Sequence, residues 1–133
     1  MKIDKIFFLI IISSFISCKV NGQVADTIIY LKHFEMNRIN YIGQPFSKLL
    51  NEMTLLQPKA LWTNQPRYSL IKFNNMDNAF NIGTVNMIIT WETPLPATET
   101  EYYENKNHFY FTDDERSYYG SKIVKNISIY ITN

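Results

Sequence analysis

The hydrophobic pattern of the chain changes period about halfway along. Residues 27–38 contain no Gly or Pro, and Tyr30, Leu31 and Phe34 recur at helical spacing with Lys32, Glu35 and Arg38 on the other side. This predicts a first helix with Asp26 as its N-cap. Gly43-Gln44-Pro45 interrupts the chain, and Pro45 suits the first turn of a new helix, where its missing N–H costs nothing. Phe46, Leu49, Leu50 and Met53 then form an i, i+3, i+4, i+7 stripe against Lys48, Asn51 and Glu52. That predicts a second helix ending at about residues 54–56, before Pro58.

Beyond Arg67 the period falls to two. Tyr68, Leu70, Ile71 and Phe73 run into the turn-rich pair Asn74-Asn75 and predict a strand. Val85, Met87, Ile89 and Trp91 alternate with Asn86 and Thr90, predicting a strand over 84–92. Residues 93–107, with two prolines and several acids, read as a long exposed connection. Phe109 and Phe111 alternate with His108 and Tyr110, which predicts a short strand before Asp113. Ile127, Ile129 and Ile131 against Ser128 and Tyr130 predict a last strand over 124–132. The expected fold is α+β, with two N-terminal helices packed on one face of a three- to four-stranded antiparallel sheet. The opposite face is expected to be at least partly wet. No internal repeat or heptad array is visible.

The N-terminus has a different character. Lys2 and Lys5 precede an apolar run over 6–12 that continues through Ser13, Ser14 and Phe15 to Cys18. Charge, apolar core and small residue in that order are those of a secretory signal peptide. The run is shorter than the roughly 20 residues a stable membrane-spanning helix needs. Phe15-Ile16-Ser17-Cys18 resembles the lipobox of bacterial lipoproteins, with Ser17 at the small position and Phe15 where the family usually carries leucine. The resemblance covers the signal alone, and it implies that Cys18 is lipidated and becomes the first residue of the mature chain. Ordinary cleavage after Gly22, leaving Gln23 first, is the alternative. The expected organisation is thus a signal peptide with a lipobox-like end over 1–18, a tether over 19–25 and one α+β domain over 26–133. The order of elements is similar, in topology only, to small two-helix, three-strand bacterial envelope lipoproteins such as the outer-membrane assembly component of that shape. The shared residues are the turn-and-helix pattern over 43–50, which carries no function across.

Composition removes several classes of function. Hydrophobic residues at 46% and aromatics at 15% are enough for a packed core. The formal charge is +1, and loss of residues 1–17 takes Lys2, Lys5 and Asp4 with it, leaving eleven basic and eleven acidic residues. A neutral domain excludes a polybasic nucleic-acid binder and leaves an acyl group as the main membrane attachment. One cysteine makes neither an internal disulfide nor a cysteine zinc site. Four glycines supply no phosphate-binding fingerprint, so no cofactor is expected. His33 and His108 are the only imidazoles, and no serine sits in a Gly-x-Ser-x-Gly turn, so no catalytic residue is assigned. Asp113-Asp114-Glu115 lacks the alternating spacing and central glycine of a calcium loop, and no metal is expected.

The acids are unevenly placed. Glu92, Glu99, Glu101, Glu104, Asp113, Asp114 and Glu115 stand against Lys106 alone over 92–115, and two tyrosine doublets flank the cluster. Tyrosine beside charge is a common makeup of protein contact surfaces. The expected partner-binding residues are Tyr102, Tyr103, Asp113, Asp114, Glu115, Tyr118 and Tyr119, facing an unidentified protein with a basic surface; a plain solvated loop is the alternative. The expected function is an exported, lipid-anchored, non-enzymatic domain that binds another protein at the cell envelope, in the manner of an immunity or inhibitor protein. A structural accessory lipoprotein, acting through its apolar helices around exposed Leu31 or Phe46, is the second expectation. A small hydrolase is the third.

Overall fold

A computed structural model describes residues 23–133, with side chains from Asp26 onward. The expected signal segment, Cys18 and the first part of the tether lie outside the described residues. The elements, in chain order, are α1 (Gln23–Met36), α2 (Phe46–Glu52), β1 (Ala60–Gln65), β2 (Tyr68–Lys72), β3 (Val85–Trp91), α3 (Ala97–Asn107), α4 (Asp113–Gly120) and β4 (Val124–Ile131). The strands form one antiparallel sheet in the order β1-β2-β3-β4. The expected α+β class and antiparallel sheet are therefore present, with four helices among the described residues instead of two.

Register explains which residues share a face. Met87 pairs with Ile71 and Ile129, and Ile89 pairs with Ser69 and Ile127, so the alternating apolar positions of β2, β3 and β4 fall on the same side. They join Leu61, Trp91, Val124 and the helix residues Leu31, Phe34, Phe46, Leu49, Leu50 and Met53 in one core. Each such side chain contributes about 1.5–3 kcal/mol by leaving water. α1 lies against β4 and β3, α2 against α4, and α3 against β1.

Several local expectations change. α1 begins at Gln23, so Asp26 sits inside the first turn instead of capping it. Pro45 stands at the N-cap of α2, with φ −60° and ψ 143°, one place earlier than a first-turn proline. Leu31 and Phe46, expected to be exposed, are both 0% exposed. The 93–107 connection is largely helix, because Pro96 occupies the N-cap with ψ 127° and the strong helix formers of 97–107 follow it. Phe109 and Phe111 do not make a strand. Their segment forms only an isolated bridge, Ala60 with Tyr110, since His108 and Phe109 take the left-handed conformation at φ 52° and 66°.

Both outer strands are capped at several points along their edges. On β1 the Leu61 N–H donates to the Phe109 carbonyl at 2.9 Å and the Thr63 N–H to Glu104 Oε1 at 2.6 Å. On β4 the Val124 N–H donates to the Gln44 carbonyl at 2.9 Å, Gly43 donates back to Val124 at 2.8 Å, and the Ile129 N–H donates to Glu35 Oε2 at 3.2 Å. Gly43 makes this return with φ +79°, a conformation that favours glycine.

Candidate partner-contact surface

The acidic, tyrosine-rich stretch folds into the helical pair α3–α4, inserted between β3 and β4. α3 turns Thr100, Tyr103, Glu104 and Asn107 inward at helical spacing. The last three are only half-buried, which is why no apolar stripe announces the helix. Glu104 is pinned by the Thr63 N–H, and burial pushes its carboxyl above the usual range. α4 opens with a capping box: Thr112 Oγ1 accepts the Asp114 N–H at 3.2 Å, and Glu115 Oε2 accepts the Thr112 N–H at 2.9 Å. Glu115 also accepts from Asn107 Nδ2 at 2.8 Å, tying the two helices together.

This geometry divides the predicted site residues. Glu115 and Tyr119 are buried, so neither can meet a partner. Glu115 holds the cap, and Tyr119 hydrogen-bonds Thr63 Oγ1 at 3.0 Å inside the core. Asp114 is engaged by Lys106 Nζ at 2.9 Å, which holds its carboxyl below the ordinary value. Asp113, Glu92, Glu99 and Glu101 stay exposed, as does Tyr102. The burial of two of the seven narrows the candidate surface to Tyr102, Tyr103, Tyr118 and the exposed acids around them.

The tyrosines form a continuous series of ring contacts. Centroid separations are 5.1 Å from Tyr102 to Tyr103, 4.8 Å to Tyr118 and 4.9 Å to Tyr119. From Tyr119 the series reaches Trp91 at 5.8 Å and Phe46 at 5.5 Å, so the exposed end is braced against the core. Tyr118 donates to Glu99 Oε2 at 2.8 Å, and Lys122 Nζ lies 4.5 Å from the Tyr118 ring centre. Burial, then the Glu99 bond, pushes the Tyr118 phenol well above its ordinary value. A cavity of about 320 Å³ opens between Thr98, Glu99, Tyr102, Tyr103 and Tyr118. Thr98 and Lys122 were not singled out from sequence, because Thr98 meets Tyr102 only once 97–107 is helical and Lys122 comes near Tyr118 only through the fold beyond α4.

Elsewhere the chemistry is sparse. His33 is exposed near the end of α1, 3.3 Å from Asn37 Nδ2, and exposed His108 caps α3 in the left-handed conformation. Among the described residues no carboxylate or serine hydroxyl hydrogen-bonds either imidazole, and no group of three potential metal ligands gathers. No described helix is long and apolar enough to cross a membrane. The sheet face away from the core carries an unexpected cluster. There Lys72 is 2% exposed, its Nζ lies 4.6 Å from the Phe80 ring centre, and burial lowers its pKa. Trp62 packs against both Phe80 and Phe109, at 5.1 and 5.2 Å. No protein-family model, curated protein or solved structure matches the chain, so the functional reading rests on these residues themselves.

Proposed function

We propose that the chain is an exported, lipid-anchored, non-enzymatic domain that binds another protein at the cell envelope, in the manner of an immunity or inhibitor protein. The observation that carries this reading is the exposed Tyr102, flanked on α3 by exposed Glu99 and Glu101 at a cavity walled by three tyrosines. Tyrosine offers contact area at low entropic cost, and the surrounding acids favour a partner with a basic face. In this reading the two N-terminal helices cover one face of the sheet and brace it, leaving α3–α4 free to make the contact. Attachment comes from an acyl group on Cys18, placed by the lipobox-like Phe15-Ile16-Ser17-Cys18. The accessory-lipoprotein reading loses ground, because Leu31 and Phe46, its proposed contacts, are packed inside.

Two measurements test the proposal. Intact mass of the protein from its native host should show a chain beginning at Cys18 with acyl groups, lost in Cys18→Ala; a chain beginning at Gln23 would refute the anchor. A photo-crosslinking residue at position 102 should capture a partner whose association with the purified protein slows about tenfold in a Glu101→Lys, Asp113→Lys variant, with a flatter salt dependence. An unchanged association rate in that variant would refute the acidic contact surface.

A further inference from the structure

A second surface lies at the opposite end of the sheet, where β3 begins. A cavity of about 350 Å³ is lined there by Thr27 of α1, Leu56, Phe73, Asn78, Ile82 and Gly83, among others. Two large apolar side chains stand out into solvent around it: Ile82 is 84% exposed and Leu55 is 83% exposed. Charge is sparse around it: Asp77 is the only ionisable group from Phe73 through Thr90, with exposed Asp26 next to Thr27 and Lys59 bonded to Asn75 at 3.2 Å. The Leu55 N–H is held by the Tyr30 hydroxyl at 3.2 Å and the Gly83 N–H by the Thr132 carbonyl at 2.9 Å, so these side chains project from anchored backbone.

This is also the end at which the chain enters the domain. Thr27 lies one helical turn after Gln23, a rise of about 6 Å, and Gln23 follows Cys18 by five residues. Five residues span at most about 18 Å even when fully extended. An acyl anchor on Cys18 therefore keeps this end of the domain within reach of a bilayer's headgroup layer. The far end of β3 stands about 20 Å further along the strand.

We propose that Ile82 and Leu55 form a lipid-docking edge that inserts into the headgroup boundary beside the anchor. The inference rests on the lipid anchoring of Cys18. The occupant is a lipid surface, because a short tether holds the patch there and its two exposed apolar side chains, set among amide and hydroxyl groups with little charge, suit shallow insertion at a headgroup boundary. Docking fixes the domain upright and turns the α3–α4 surface away from the membrane.

The test uses the full chain carrying Ile82→Cys, Leu55→Cys or Ser121→Cys, labelled with a thiol-reactive, environment-sensitive dye and placed in phosphatidylcholine vesicles containing nitroxide-bearing lipid. Ser121 precedes β4 at the opposite end and serves as the distant control. The expected result is a blue-shifted emission, quenched at least twofold by the nitroxide lipid at positions 82 and 55, with Ser121 unaffected and salt without influence. Water-like emission at 82 and 55, with mass confirming acylated Cys18, overturns the docking edge while the anchor stands. A blue shift without lipid quenching overturns it in favour of contact with a second copy. Two dyes per chain show a free Cys18, and then the anchor and the docking edge fall together. Since both replaced side chains are more than four-fifths exposed, the fold survives the substitutions.

Discussion

Replacing Ser69 with alanine interrupts a polar thread that crosses the core. The Trp91 indole N–H donates to Ser69 Oγ at 2.9 Å, Ser69 Oγ meets Thr63 Oγ1 at 2.7 Å, and Thr63 Oγ1 meets the Tyr119 hydroxyl at 3.0 Å. Ser69, Trp91 and Tyr119 are all fully buried, so water cannot take the place of a lost partner. In Ser69→Ala the indole N–H is left without an acceptor, which costs about 1–3 kcal/mol, whereas Thr63 keeps Tyr119. For a domain of about 110 residues, with unfolding entropy near 2.1 cal/mol/K per residue, each kcal/mol moves Tm by about 4 °C. A midpoint value of about 2 kcal/mol thus lowers Tm by about 8 °C, measured by circular dichroism or calorimetry. Trp91→Phe removes the stranded donor, so Ser69→Ala in that background should cost about 1 kcal/mol less than in the native chain. A Tm change below about 2 °C for Ser69→Ala, or equal costs in the two backgrounds, would refute the thread as a stabilising unit.

Two further outcomes follow from the same structure. His108→Gly relieves a left-handed non-glycine residue, at φ 52° and ψ 43°, a strain of about 1–2 kcal/mol offset by about 0.5–1 kcal/mol of added unfolded-state freedom, and should raise stability by about 0.5–1 kcal/mol in urea unfolding; a loss would show that the imidazole holds the turn. At high pH, burial and the hydrogen bond to Glu52 push the Tyr41 phenol up to about 12 from its ordinary 10.0. The folded chain keeps that proton over an interval in which the unfolded chain has lost it. Stability is therefore fully present below pH 10 and drains away as pH rises from 10 to about 12. Tyr118 and Tyr119 shift in the same direction. Phenolate absorbance should rise together with loss of structure, and early titration of Tyr41 in the intact fold would contradict its burial.

The elements that were legible in the sequence are those whose apolar residues repeat on one side. The stripe of α2, the alternation of β3 and Ile127 and Ile129 of β4 each bury their hydrophobic face, so pattern and packing coincide, while Ile131 at the strand end is exposed. α3 escaped because it meets the domain through Thr100, a carboxylate, an amide and the single ring of Tyr103, which make no hydrophobic period. α4 did leave a local sign, the Thr-x-x-Glu spacing of Thr112 and Glu115, but its acids drew the reading toward a charged surface instead. β1 has its apolar residues at Ala60, Leu61 and Trp62 in a run that does not alternate, and a bulge between Trp62 and Gln65 obscures the rest. The candidate surface was half visible: composition located the tyrosines and acids, yet nothing local distinguishes exposed Tyr102 from buried Tyr119.

The stoppered margins of the sheet set a rule for how this domain can be recognised. A partner that binds by laying an extended segment along an outer strand needs a run of free N–H and carbonyl groups, and here the 109–111 segment, Glu104, Glu35 and the 43–46 segment occupy several of them on each edge. Strand addition along a full edge would require peeling these away, which favours recognition through side chains. The same rule governs self-association: at these positions a second copy finds no free strand groups to pair with, so edge-to-edge growth of the sheet is disfavoured there.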